Sequence, residues 1–356
     1  MLQSEKIACF VELGKFLKQF ENLDSHRMEH VQGNDLFFDK FMDLIVLSQS
    51  HNGWYTPENV IFALQSWSCA LTKPNIEAWL ERYDILEVSE AESAKTVAII
   101  LAGNIPLVGF HDFLSVLLSG NKVLVKTSSN DQQLLPFIVH YLIFCNLKMQ
   151  DFIEIVAGKL MDFDAVIATG SSNTARYFEY YFRSKPSIIR KSRNSVAVLD
   201  GSESKQQMVD LGEDIFRYFG LGCRSVSKLF VPRNYNFDLF FNGVFGYQDV
   251  IKYEKYANNY DYNKAVFLMS NFALLDNEFL VIKEDVSYAS PIASVFYEFY
   301  DDLESIKTKL QIDSDKIQCI VSNGLVDNSI GFGQTQKPGL CDYADNVDTM
   351  AFLLGF

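Results

Sequence analysis

Four short segments of this sequence combine glycine with polar or nucleophilic side chains in patterns that carbonyl chemistry can use. The first is Phe219-Gly220-Leu221-Gly222-Cys223-Arg224-Ser225. Glycines ahead of a cysteine let the backbone approach a substrate closely. A thiolate near a cation, here Arg224, attacks carbonyls well. The plainer reading is a buried, inert cysteine. The second segment, Ala102-Gly103-Asn104-Ile105-Pro106, follows the apolar run Val97-Ala98-Ile99-Ile100-Leu101. An Asn amide at the end of a strand can donate to a developing oxyanion, or simply belong to a turn before a helix. In the third, Val123-Leu124-Val125 runs into Lys126-Thr127-Ser128-Ser129. The ammonium and hydroxyls suit ribose and phosphate groups; equally, Ser129 or Asn130 caps the following helix. The fourth, Ala168-Thr169-Gly170-Ser171-Ser172-Asn173, suits close backbone approach to a pyrophosphate or a nicotinamide ribose, or a helix cap.

Placing these groups requires a scaffold, and the hydrophobic pattern supplies one. Residues 1 to 90 read as mainly helical: Ile7, Phe10, Val11, Phe16, Leu17 and Phe20 follow helical spacing, and Thr56-Pro57-Glu58 is a helix start. From Val97 onward, short β-prone runs alternate with helical stretches. Strands are predicted at 97–101, 123–125, 153–156, 165–168, 196–199 and 228–231, with helices at 107–118, within 131–146, at 173–182 and at 205–219. This is an α/β chain with a mostly parallel sheet covered by helices. The four segments fall at strand–helix junctions, where such sheets bind ligands. Residues 235–330 are Tyr- and Phe-rich, with strands predicted near 266–270, 280–283 and 317–321. No linker, repeat or low-complexity tract marks a boundary.

The 356 residues carry a net charge of −14, which argues against nucleic acid as the main partner. Arg183, Lys185, Arg190, Lys191 and Arg193 form a local basic cluster, read either as a solvated helix end or as a dock for a phosphorylated molecule. The six cysteines are scattered without metal or disulfide spacing, as in a reducing, cytoplasmic protein. The N-terminus lacks a signal-peptide core, and no apolar run is long enough to span a bilayer. No GxGxxG, GxxxxGK[ST], HExxH or GxSxG occurs.

The order of the four segments, from Val97 to Val231 and more faintly to Ser294, resembles the aldehyde dehydrogenase superfamily. The short chain, the helical N-terminus and the tail from Gly331 to Phe356 look most like its long-chain acyl-CoA reductase branch, which includes the fatty-acid reductase component of bacterial luminescence. The resemblance implies a dinucleotide-binding domain at 91–203 and a smaller α/β catalytic domain at 204–328. The helical region at 1–90 precedes them, and a tail at 329–356 returns to the core.

The same resemblance makes Cys223 the nucleophile and Asn104 the oxyanion donor. Lys126 falls on the adenosine ribose, and Thr169, Gly170 and Ser171 beside the cofactor's phosphates and nicotinamide end. Glu284 or Asp285 matches the carboxylate that grips the nicotinamide ribose, although the spacing to Pro291 is off. Ser129 stands where NAD-using members often carry a glutamate; a hydroxyl does not repel a 2′-phosphate, so NADPH is expected, with NADH as the alternative. Hydrolytic members carry Glu-Leu-Gly-Gly where this chain has Ile189-Arg190-Lys191-Ser192-Arg193-Asn194, which lacks a carboxylate base. The implied activity is reduction of an acyl-CoA or acyl-carrier thioester to an aldehyde through an acyl-cysteine. The alternatives are a semialdehyde or acyl-phosphate enzyme of the same superfamily, and a non-catalytic scaffold that keeps the fold. A homo-oligomer and an acyl-activating partner protein are also implied. His111, seven residues after Asn104, reads either as a proton donor or as an ordinary polar residue at a helix start.

Overall fold

The N-terminal helices form where caps and apolar spacing demand them. Helix α1 (Gln3–Lys18) turns Ile7, Phe10, Leu13, Phe16 and Leu17 inward, and α2 (Asn34–His51) buries Phe38, Phe41 and Ile45. Helix α3 (Pro57–Ala70) opens as predicted: Thr56 Oγ1 accepts the Asn59 amide at 3.3 Å, and Pro57 occupies the first turn. Helix α4 (Lys73–Glu81) repeats the device with Thr72 and Pro74. The computed structural model describes residues 1–85 and 94–355. The boundary expected between residues 90 and 91 lies outside them.

The chain forms two compact units, Met1–Lys191 with Gly339–Phe356, and Ser192–Pro338. In the first, the N-terminal helices share one core with a five-stranded sheet and its helices. The elements in chain order are β1 (Thr96–Ile100), α5 (Phe110–Leu118), β2 (Lys122–Lys126), α6 (Leu134–Cys145), β3 (Ile153–Ile155), β4 (Ala165–Thr169), α7 (Ser172–Phe182) and β5 (Ser187–Arg190). The strand order is β3-β2-β1-β4-β5, all parallel. Val97, Ala98 and Ile99 are wholly enclosed, as a central parallel strand requires. The short strand β5, with only Ile188 and Ile189 as an apolar signal, was not predicted.

The second unit contains β6 (Asn194–Val198), α8 (Lys205–Phe216), β7 (Val226–Pro232), α9 (Phe237–Val244), α10 (Glu254–Met269), β8 (Leu274–Asp276), β9 (Val281–Glu284), β10 (Ser294–Tyr300), α11 (Leu303–Ile312) and β11 (Ile317–Val321). Its six strands run β11-β6-β7-β10-β9-β8, parallel except for β8 against β9. Lys228 is fully buried in β7 and pairs with Glu298 at 3.0 Å, as an enclosed charge must. The strand expected near 266–270 is instead the end of α10. Tyr256, Tyr260, Asn263 and Phe267 are its buried residues, spaced by four, three and four. The helical stripe extends well beyond the short apolar run that suggested a strand.

The tail returns to the first unit. Trp79 Nε1 donates to the Tyr343 hydroxyl at 2.7 Å, and Asn121 Nδ2 to the Leu353 carbonyl at 3.2 Å in helix α12 (Thr349–Leu354). No helix among the described residues is long and apolar enough to cross a membrane.

Candidate active site

In the first unit the chain steps from β1 to β2 to β3 on one side, then to β4 and β5 on the other. The loops leaving β1 and β4 therefore diverge, and a crevice opens at the carboxyl ends of the strands. Ile100 is level with Lys126 in β2 and with Ala168 in β4. Asn104, Lys126, Ser129, Thr169, Gly170 and Ser171 thus all lie on this one edge. Lys126 Nζ donates to the Gly158 carbonyl at 3.0 Å. Ser129 is exposed, and it does not cap α6: the Leu134 amide points to Asp131 Oδ1 instead, at 3.4 Å. Ser171 is the N-cap of α7, its Oγ accepting the Thr174 amide at 3.2 Å. Gly170 leaves room for that turn, since a Cβ there would stand 3.0 Å from Thr174 Cβ.

The Asn104 turn is gripped from both sides by residues that sequence reasoning missed. Asn52 Nδ2 donates to the Gly103 carbonyl at 3.1 Å and to the Asn130 carbonyl at 3.3 Å, tying the loops after β1 and β2 together. The Tyr55 hydroxyl lies 2.8 Å from the Ile105 carbonyl and 3.2 Å from Asp131 Oδ2. Its single proton serves one acceptor at a time. Burial raises the pKa of Asp131. Gly103 is demanded by contact: an added Cβ would meet Ser128 Oγ at 2.6 Å. Only the chain folding between α2 and α3 brings residues 52 and 55 here, and no local pattern signals it.

Cys223 belongs to the second unit and is exposed. After α8 the backbone turns left-handed at three successive residues, Tyr218, Phe219 and Gly220, with φ of 56°, 59° and 74°. Glycine tolerates this; the two aromatics cost roughly 1–3 kcal/mol each. Their burial offsets the strain, with the Phe219 ring 5.0 Å from Tyr253. The turn presents Cys223 just before β7. Its carbonyl accepts Ser195 Oγ at 2.9 Å. Arg224 Nε donates to the Thr335 carbonyl, and Gln336 Nε2 to Ser225 Oγ at 3.2 Å.

Other expected residues are placed differently. His111 Nε2 lies 2.9 Å from the Leu340 carbonyl, between Trp79 and Tyr343. Burial lowers its pKa, so it is a neutral donor that holds the tail. The basic cluster is not one patch. Arg190 is 4 % exposed, and its guanidinium donates to Asp112 at 2.6 Å, the Ala344 carbonyl at 2.6 Å and Thr349 Oγ1 at 2.9 Å. Lys191 pairs with Glu179. Glu284 ends β9, level with Tyr297 in β10 and through it with Leu229, three residues into β7. That is two strands across and roughly 10 Å along from the edge where the Cys223 turn joins the sheet. The structure does not bring Glu284 to that edge.

Comparison with known proteins follows the same lines. The acyl-CoA reductase (LuxC) family model matches residues 73–239. No curated protein sequence matches. Among solved structures, aldehyde dehydrogenase 21 from Physcomitrella patens, in complex with succinate, is similar with a TM-score of 0.65 at 12 % identity, over 98 % of this chain and 79 % of that one. An indole-3-acetaldehyde dehydrogenase solved with NAD+ gives 0.62 at 13 % identity, over 90 % and 72 %. The aldehyde dehydrogenase KauB from Pseudomonas aeruginosa gives 0.60 at 15 % identity, over 90 % and 72 %. The fold is thus that of the aldehyde dehydrogenases, and the stretch similar to the acyl-CoA reductase (LuxC) family, residues 73–239, includes both the Asn104 and the Cys223 segments.

Proposed function

We propose that this protein reduces an acyl-CoA or acyl-carrier thioester to the free aldehyde through a thioester on Cys223, with NADPH as reductant. The observation that carries the reading is the exposed Cys223 on a left-handed turn between α8 and β7, with its carbonyl held by Ser195. The first unit has a donor set that suits a dinucleotide: the Lys126 ammonium, the hydroxyls of Ser128 and Ser129, and the capped amino end of α7 after Gly170. The Gly103–Ser128 packing keeps the β1 and β2 loops close together. When bound, the nucleotide supplies a hydride. Ser129, exposed and uncharged, leaves a 2′-phosphate unopposed, which favours NADPH over NADH.

The chain's own groups do the rest. The Cys223 thiolate bonds to the thioester carbon, and the carrier thiolate leaves with the electron pair of the broken C–S bond. No general acid is needed, because that thiolate is a good leaving group. Asn104 donates to the oxyanion of the tetrahedral adduct, worth roughly 3–4 kcal/mol in comparable sites. After reduction, the thiohemiacetal oxyanion collapses, the bond to Cys223 Sγ breaks, and the aldehyde departs. The segment 189–194 carries no carboxylate, and its Arg190 is committed to Asp112 and the tail. It therefore supplies no base to activate water, and the acyl-cysteine survives for reduction.

The test is turnover of acyl-CoAs of several chain lengths. The native protein releases stoichiometric CoA without nucleotide, and aldehyde only when NADPH is added, with a smaller response to NADH. Aldehyde formation by Cys223→Ala, or release of carboxylic acid in place of aldehyde, would overturn the reading.

A further inference from the structure

Asp214 has a place in the second unit that neither the fold nor the proposed chemistry explains by itself. Its side chain, on the inner face of α8, is wholly enclosed. The carboxylate accepts three hydrogen bonds: from the Gly333 amide at 2.7 Å, the Thr335 amide at 2.9 Å and Thr335 Oγ1 at 2.8 Å. Among the described residues it makes no ion pair. A carboxylate buried without a cation is costly, and an apolar residue packs a helix more cheaply. The three bonds all go to one irregular segment, residues 331–338, which contains neither helix nor strand. Gly333 adopts φ +74°, and a Cβ there would stand 3.2 Å from Asp210 Cβ, so the segment lies directly on α8.

That segment in turn grips the cysteine turn. Thr335, whose amide and hydroxyl bond Asp214, offers its carbonyl to Arg224 Nε. Gln336, the next residue, donates to Ser225 Oγ. Arg224 and Ser225 are the two residues that follow Cys223. The remaining grip, on the Cys223 carbonyl, comes from Ser195 Oγ, which also accepts the Cys319 amide at 3.1 Å. Three consecutive residues are thus fixed from outside the turn, two of them through a segment anchored to α8 by Asp214.

We infer that Asp214 is a positioning residue for Cys223, acting through Gly333 and Thr335 to hold Arg224 and Ser225 and so aim the thiol. The inference rests on Cys223 being the nucleophile, but its main readout does not. Asp214→Asn keeps the shape but sets an amide N–H₂ against backbone N–H donors. Thr335→Val removes one hydrogen bond of the three, and Thr335→Ser restores it. The experiment follows iodoacetamide alkylation of Cys223 by peptide mass mapping across pH, with exposed Cys69 in α3 as internal control. Thermal unfolding and acyl transfer from an acyl-CoA are measured alongside.

The expected result for Asp214→Asn is an altered pH profile and at least about a tenfold slower alkylation of Cys223, as a misplaced reacting group gives. Cys69 is unchanged. Thr335→Val shows the same effect more weakly, and Thr335→Ser behaves like the native protein. If Asp214→Asn does not fold, the two Thr335 variants carry the test. Folded variants whose Cys223 reacts within twofold of native, or whose loss is shared by Cys69, overturn the inference. A native protein whose Cys223 alkylates normally but takes no acyl group from CoA refutes the proposed function instead, and the alkylation comparison still decides the role of Asp214.

Discussion

The Asn104 turn and the Cys223 turn solve the same problem, holding one polar group still at the end of a strand, by different means. Asn104 follows the carboxyl end of β1, and its backbone is fixed by side chains reaching in from the N-terminal helical region, Asn52 on the Gly103 carbonyl and Tyr55 on the Ile105 carbonyl. Cys223 precedes the amino end of β7. Its approach is a left-handed run, and an irregular segment more than 100 residues later in the chain clasps the residues after it. In the first case two neutral donors hold two carbonyls. In the second a buried carboxylate pins a loop, and the loop holds the turn. Each arrangement contains a carboxyl whose pKa burial raises: Asp131 beside the Tyr55 hydroxyl in the first, and Asp214 in the second.

The comparison breaks most sharply if the two turns prove interchangeable in their effects. The largest effect is expected at Asn104 itself. Asn104→Ala should slow acyl transfer to Cys223 by two to three orders of magnitude, as loss of one oxyanion donor does. Iodoacetamide alkylation of the same thiol, which builds no oxyanion, should be unchanged. A parallel fall in both rates would show that the substitution disturbs the cysteine rather than the oxyanion.

Next comes the titration of Asp214, whose carboxyl is pushed up to about 6 by desolvation, against the lowering effect of its three hydrogen bonds. Because the folded value exceeds the unfolded one near 4, the native state binds the extra proton between those values. Stability from this group is therefore full below about pH 4 and falls as pH rises towards 6, by up to about 3 kcal/mol. Denaturant unfolding of the native protein and Asp214→Asn should differ in slope across that window and run parallel above it. Parallel curves throughout would remove the carboxylate from the account.

The smallest effects belong to the Asn104 braces. Tyr55→Phe and Asn52→Ala each remove neutral hydrogen bonds, worth about 1 kcal/mol apiece. Each should slow acyl transfer severalfold without altering Cys223 alkylation; Asn52→Ala should leave the pH dependence of stability unchanged, whereas Tyr55→Phe also removes a hydrogen bond to the Asp131 carboxyl. A change in alkylation would show that these braces also support the Cys223 turn, contrary to the separation drawn between the two.

What could be read from the chain in advance follows from this contrast. Gly103-Asn104 and Gly222-Cys223 are local patterns, and the hydrophobic runs around them fix strand and helix within a few residues. The parallel sheet, and the lining-up of Asn104, Lys126 and Ser171 on one edge, came from that alternation. The braces have no local mark. Asn52 lies about fifty residues from the carbonyl it holds, and Thr335 more than a hundred from Arg224, so only the fold makes them neighbours. Arg190 fits neither reading of its cluster, solvated helix end or docking patch, because it is buried beside Asp112 and turned inward as a tie for the tail. Of the two readings of His111, the structure agrees with the ordinary one, a polar residue at a helix start, here held by the Leu340 carbonyl. The helix α10 was missed because Tyr256, Tyr260, Asn263 and Phe267 carry its buried stripe, where a short apolar run at its end pointed to a strand.

The most direct measurement is intact-protein mass spectrometry after brief mixing with a fatty acyl-CoA in the absence of nucleotide, followed by peptide mapping. A mass gain of one acyl group is expected, located on Cys223, absent from Cys223→Ala and discharged on adding NADPH. An acyl group found on another residue, or an unmodified Cys223 in a protein that nonetheless yields aldehyde, would contradict it.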